Sequence, residues 1–74
     1  MILYTKTICP KCMFVKSEIE RLGVEVTITN VDQDEVAKQT VLDKGFMAAP
    51  ILQVGEDWFA DVGEIIAQLE QHAQ

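Results

Sequence analysis

An α/β fold with the element order β-α-β-α-β-β-α is predicted, and three features of the chain predict it. Short apolar or alternating stretches take turns with longer stretches whose apolar residues recur at helical spacing. Acidic residues stand where two of the helical stretches would need caps. A Gly-containing turn separates the last two apolar stretches. Residues 1–74 are expected to form one domain, with a four-stranded mixed sheet flanked by three helices.

The elements follow in order. Ile2 to Thr5 is apolar and β-favouring, a first strand. From Pro10 the period changes: Val15, Ile19 and Leu22 share one helical face, and Gly23 is a natural stop. Val24 to Thr29 alternates, with Val24, Val26 and Ile28 on one side of a second strand. Asp32 with Glu35 has the spacing of a capping box, which predicts a helix running to Lys44 and ended by Gly45. Ile51 to Val54 and Trp58 to Ala60 read as strands joined through Gly55-Glu56-Asp57. Asp61 with Glu64 caps a last helix, whose apolar stripe is Val62, Ile65, Ile66 and Leu69. A helix joins the first two strands, so they should run parallel with a right-handed crossover, whereas the last two form an antiparallel hairpin.

Composition narrows the function. The chain has 49% hydrophobic and 24% charged residues, which suits a globular protein. Its net charge is −6 and its lysines are scattered, which disfavours nucleic acid or an anionic membrane as partner. No apolar run approaches the roughly 20 residues that span a bilayer. The start, Met1 to Lys6, lacks the pattern of a signal peptide, so a cytoplasmic location is expected. In that compartment a close cysteine pair is more often catalytic or metal-binding than structural.

The two cysteines are that pair. Cys9-Pro10-Lys11-Cys12 lies where the first strand gives way to the first helix. Proline suits the first helical position, because its missing N–H would have no intrahelical partner there. Cys9 is then the cap and Cys12 lies on the first turn, close enough for a disulfide. The free N–H groups and dipole of the helix start favour a thiolate on Cys9, with Lys6 and Lys11 adding positive charge. Cys9 is expected to be the more exposed sulfur and the attacking one, and Cys12 the deeper, resolving one. A zinc site would need about four ligands, and His72 is the only other strong candidate, so no metal site is expected. A metal or iron–sulfur carrier dimerising through Cys9 is the alternative of another class. Ala49-Pro50, just before the third strand, is a second point of interest: a cis proline there would present the Ala49 backbone to an extended peptide. Trp58 is expected to pack within the hairpin.

On Leu3-Tyr4-Thr5-Lys6 leading to Cys9-Pro10-Lys11-Cys12, on Gly45-Phe46-Met47-Ala48-Ala49-Pro50, and on the hairpin around Gly55, Asp57 and Trp58, the chain resembles the glutaredoxins. Within them it is similar to the NrdH-type redoxins that reduce ribonucleotide reductase. The resemblance covers nearly the whole chain. It implies a thioredoxin fold with strand order 2-1-3-4, a cis Pro50 facing the cysteines, and thiol–disulfide oxidoreductase activity on protein disulfides. Lys6, Pro10, Lys11, Ala49 and Pro50 would line the substrate site. Lys6 matches the family's lysine that often contacts a glutathione carboxylate. Three other positions depart from the glutathione-using pattern: Lys11 replaces an aromatic, Ala48-Ala49 replaces Thr-Val, and Ala60-Asp61 replaces a glycine pair. The resemblance thus implies a monomer without bound cofactor. It would be recharged by thioredoxin reductase and NADPH, with glutathione as the alternative reductant.

Overall fold

The computed structural model describes residues 1–73. In chain order the elements are β1 (Ile2–Thr5), α1 (Pro10–Leu22), β2 (Thr27–Asn30), α2 (Glu35–Asp43), β3 (Ile51–Val54), β4 (Asp57–Phe59) and α3 (Val62–His72). The four strands form one sheet in the order β2-β1-β3-β4. β1 pairs parallel with β2 and antiparallel with β3, and β3 pairs antiparallel with β4. The predicted order, three helices and mixed sheet are all present. Among the described residues no helix is long and apolar enough to cross a membrane.

Side-chain alternation along the strands gives the sheet two apolar faces. On one face Leu3 and Leu52, paired across β1 and β3, are fully buried. They pack with Val15 and Ile19 of α1 and with Ile65 and Leu69 of α3. On the other face Tyr4 and Ile51 are covered by Ala37 and Val41 of α2, with Val31 beside them. Trp58 stacks between Tyr4 and Phe46, with ring centroids at 5.6 and 5.9 Å, and Lys44 Nζ lies 5.7 Å from its ring. The expected packing role of Trp58 is therefore met, although its partners lie across the sheet and beyond α2 as well as in the hairpin. The Tyr4 hydroxyl donates to Gln53 Oε1 at 2.8 Å. Burial, and then the nearby Asp34 carboxylate, hold its phenol above the ordinary range.

Local sequence explains most boundaries, and the second strand, the second helix and the fourth strand differ from expectation: the second strand ends at Asn30 rather than Thr29, and the second helix at Asp43, one residue short of Lys44. Helix α1 ends at Gly23, whose φ of 68° is left-handed and suits glycine. Its N–H and that of Val24 return to the Ile19 carbonyl. The second strand begins at Thr27, not Val24. Thr27 is the partner of Ile2, where β1 starts, and its N–H donates to the Met1 carbonyl at 3.0 Å; Val24 and Val26 pack on the core beside Leu22. The α2 cap is Asp34, whose Oδ1 accepts the Ala37 N–H at 3.1 Å, and not Asp32. The fourth strand is Asp57–Phe59 rather than Trp58–Ala60. Val54 and Asp57 pair directly, leaving a two-residue loop with φ of 60° at Gly55, the type II′ pattern. Asp61 caps α3 as expected, its Oδ2 accepting the Glu64 N–H at 3.1 Å.

Ile65 contributes to the fully buried contact between α3 and the sheet. Ile65→Ala should lower unfolding stability by about 2–5 kcal/mol, read from urea midpoints with the cysteines held in one redox state.

Candidate functional site

Three loops meet at the C-terminal end of β1. The first, residues 6–9, leads directly into α1. The second follows β2, because the parallel register sets Thr5 beside Asn30. The third precedes β3, because the antiparallel register sets Tyr4 beside Ile51. This pairing carries Cys9 and Ala49, forty positions apart in sequence, into contact: Cys9 Sγ lies 3.8 Å from the Ala49 carbonyl oxygen. The Ala49–Pro50 peptide is cis, and Pro50 is fully buried behind it.

Cys9 is the cap of α1 and Pro10 its first helical residue. Cys9 and Cys12 are joined as a disulfide, with their Cα atoms 5.2 Å apart. The Cys12 N–H donates to Cys9 Sγ at 3.1 Å, so one of the unpaired amides of the helix start points at this sulfur. The two sulfurs are not equivalent. Cys12 is 1% exposed and belongs to the buried side of α1, whereas Cys9 is half-buried and opens onto a surface groove. The helix start supplies partial positive charge to Cys9, a setting that favours its anion once the disulfide is reduced.

The residues expected to line the substrate site are found near Cys9. Lys6, Pro10, Lys11 and Ala49 line the groove with it, and Pro50, joined to Ala49 by the cis peptide, is buried. Lys6 and Lys11 are exposed. Met13 and Phe14, whose surroundings the sequence leaves open, are exposed on the first turns of α1. Two further groove residues were not among the expected site residues: Ile8 is 91% exposed and Met47 84% exposed. Apolar residues in short loops are ordinarily read as core, so their exposure is visible only in the fold.

Asp32 is the residue whose role changes most. Freed from capping α2, its Oδ2 accepts the Thr7 N–H at 2.9 Å. Asn30 Nδ2 donates to Thr7 Oγ1 at 3.2 Å, and the Asp32 N–H donates to Asn30 Oδ1 at 2.8 Å. Together these bonds tie the loop before Cys9 to the loop after β2. The Thr7 hydrogen bond, ahead of the charges of Lys6 and Lys38, holds the Asp32 carboxyl below the ordinary range. Asp and Asn are favoured both at helix caps and in turns. Local spacing therefore could not choose between Asp32 and Asp34, and the partner that decides it lies 25 residues away.

Comparison with known proteins bears on the same arrangement. A family model described as Glutaredoxin matches residues 1–59. Among solved structures the chain is similar to the glutaredoxin-like protein NrdH-redoxin from Escherichia coli, whose activity profile is described as thioredoxin-like. The TM-score is 0.81 at 25% identity, over 92% of this chain and 91% of that one. It is also similar to the thioredoxin-like protein BC3987, with a TM-score of 0.80 at 26% identity, over 92% of this chain and 96% of the other. Among curated proteins no sequence match is found.

A carboxyl whose folded pKa is depressed stabilises the fold fully above its unfolded value, about 3.9. That contribution is lost as pH falls through the folded value. The Thr7 amide proton should therefore report a titration by NMR with its midpoint below the ordinary aspartate range. Asp32→Ala should abolish that titration and speed hydrogen exchange at Thr7, whereas Asp32→Asn should lose the titration but keep much of the protection.

Proposed function

The chain belongs to the glutaredoxin family, and from that premise we propose that it acts as an NrdH-type dithiol electron donor to protein disulfides. Its activity class is thiol–disulfide oxidoreductase. The observation that carries the finer reading is the unequal placement of the two sulfurs at the start of α1: one opens onto a groove and accepts an amide N–H, the other is sealed beneath it.

The proposed reaction uses that inequality. In the dithiol form Cys9 is the thiolate, held by the Cys12 N–H and the helix start. It attacks one sulfur of the substrate disulfide; a mixed disulfide forms, and the departing substrate sulfur leaves as a thiolate that takes up a proton. Cys12, having lost its proton, then attacks Cys9 Sγ. The mixed disulfide breaks, the second substrate sulfur leaves reduced, and Cys9–Cys12 is oxidised. Two electrons pass to the substrate, and an external reductant must restore the dithiol. Lys6, Lys11 and Ala49 border the attacking sulfur and would hold the incoming segment.

Two observations support thioredoxin reductase over glutathione as that reductant. The solved neighbour named NrdH-redoxin has a thioredoxin-like activity profile. At the start of α3, the family's usual glycine pair is replaced by Ala60-Asp61. The Asp61 carboxylate already accepts the Glu64 amide, an N–H group at the start of this helix that would otherwise suit a ligand carboxylate. Ribonucleotide reductase is the proposed physiological disulfide.

Two coupled NADPH assays test this, one with thioredoxin reductase and one with glutathione and glutathione reductase. Turnover is expected in the first; turnover confined to the second overturns the NrdH-type reading. Cys9→Ser should lower disulfide reduction by more than about a hundredfold. Cys12→Ser should stop at a stoichiometric mixed disulfide on Cys9, visible as added mass under non-reducing conditions.

A further inference from the structure

The groove at Cys9 differs in charge from the rest of the protein. The chain carries 12 acidic residues against 6 Lys and Arg. Yet the charged side chains lining the groove are Lys6 and Lys11, both cationic. The groove continues past Lys6, Met47 and Ala49 into a cleft between the β1 end and α2, where Lys38 and Asp32 are the further charged residues. Asp32 is held to the Thr7 amide, within the influence of the charges of Lys6 and Lys38. Along the joined surface, three cations therefore stand against one carboxylate. Asp61, the acidic residue at the start of α3, caps its own helix and is not part of the lining.

The same surface is apolar where it is not cationic. Ile8 and Met47, which line the groove together with Cys9, stand almost fully exposed, and Met13, one turn along α1, is 68% exposed. Large apolar side chains grouped around one reactive sulfur mark a contact surface rather than scattered exposure. An anionic chain is repelled by anionic partners at long range, so a local reversal of sign governs which surfaces approach productively.

We propose that this groove selects disulfides carried on acidic, apolar protein segments: an acidic residue within about three positions of the attacked cysteine meets Lys6, Lys11 or Lys38, and an adjacent large aliphatic residue packs between Ile8 and Met47. The inference rests on the reductase reading above and adds the chemistry of its substrate. The occupant is a segment of another protein, since charge complementarity asks for acidic residues and the reaction brings its own disulfide.

The test uses reduced wild-type protein in single turnover with peptides that each hold one internal disulfide beside a leucine. The peptides differ only in whether Glu, Gln or Lys flanks the cysteines. Each rate is divided by the rate of the same peptide with dithiothreitol, which removes differences in intrinsic disulfide reactivity. At low salt the normalised rate for the Glu peptide should exceed that for the Lys peptide by about tenfold, shrinking to about twofold at 0.5 M salt. In the Lys6→Gln, Lys11→Gln double variant the Glu-to-Lys ratio should fall to about threefold or less at low salt. This ratio is independent of any general change in Cys9 reactivity. Exchanging the peptide leucine for serine should lower the normalised rate about threefold. Equal rates for Glu and Lys peptides, a ratio indifferent to salt and to the double variant, or indifference to the leucine would each overturn this inference while leaving the reductase reading intact. Reaction with none of the peptides would overturn both.

Discussion

The site depends on the double pairing of β1. This strand runs parallel to β2 on one side and antiparallel to β3 on the other. Its last residues therefore lie beside the end of β2 and the beginning of β3, and everything chemical in the protein is gathered at that one end. Cys9 follows β1 by four residues, Asp32 follows β2 by two, and Ala49 precedes β3 by two. A one-residue slip of either pairing would turn Leu3 and Tyr4 to the wrong faces and so break both cores. The register that places Ala49 at Cys9 is thus enforced by the burial of Leu3, Leu52, Tyr4 and Ile51. Stability of the sheet and geometry of the site are one constraint.

Within that frame, a single helix start makes the two sulfurs different. Pro10 begins α1 without an N–H to leave unpaired, and the Cys12 amide turns to Cys9 Sγ. One turn into the helix, Cys12 falls on the face that also carries Val15 and Ile19, so its sulfur is buried by the rule that buries its neighbours. The same three-residue spacing gives Cys9 an amide donor and gives Cys12 its shelter. In the proposed reaction the order of the two attacks needs no further residue: the accessible sulfur would meet the substrate, and the sheltered one could reach only its partner.

The sequence made most of this legible because most of it is local. Helix stripes, the Pro10 start, the Gly23 stop, the Asp61 cap and the hairpin at Gly55 are short-range signals, and each survives in the structure. Lys6 and Lys11 stand beside the cysteines in the chain itself, whereas the placement of Ala49 and Pro50 there followed from family resemblance, since nothing local links position 9 to position 49. What was misplaced is non-local. The start of β2 is set by where β1 begins, and the role of Asp32 by a Thr7 amide on another loop. Ile8 and Met47 were overlooked for the opposite reason: their apolar character points to a core, and only the topology leaves them outside it.

That last pair shows how stability and function are divided in this small chain. The core is supplied by side chains on the regular elements, on both faces of the sheet. Ile8 and Met47 lie on the connecting loops and add nothing to it, yet they leave apolar surface in water beside a reactive sulfur, which favours unwanted association. The acidic excess over the rest of the molecule opposes that association by keeping like-charged copies apart. Lys6, Lys11 and Lys38 interrupt the excess along the groove beside Cys9. A groove that was merely apolar would bind indiscriminately, and one that was merely cationic would bind at any exposed carboxylate. Placing both around Cys9, on a chain otherwise negative, confines close approach to partners that satisfy the two together.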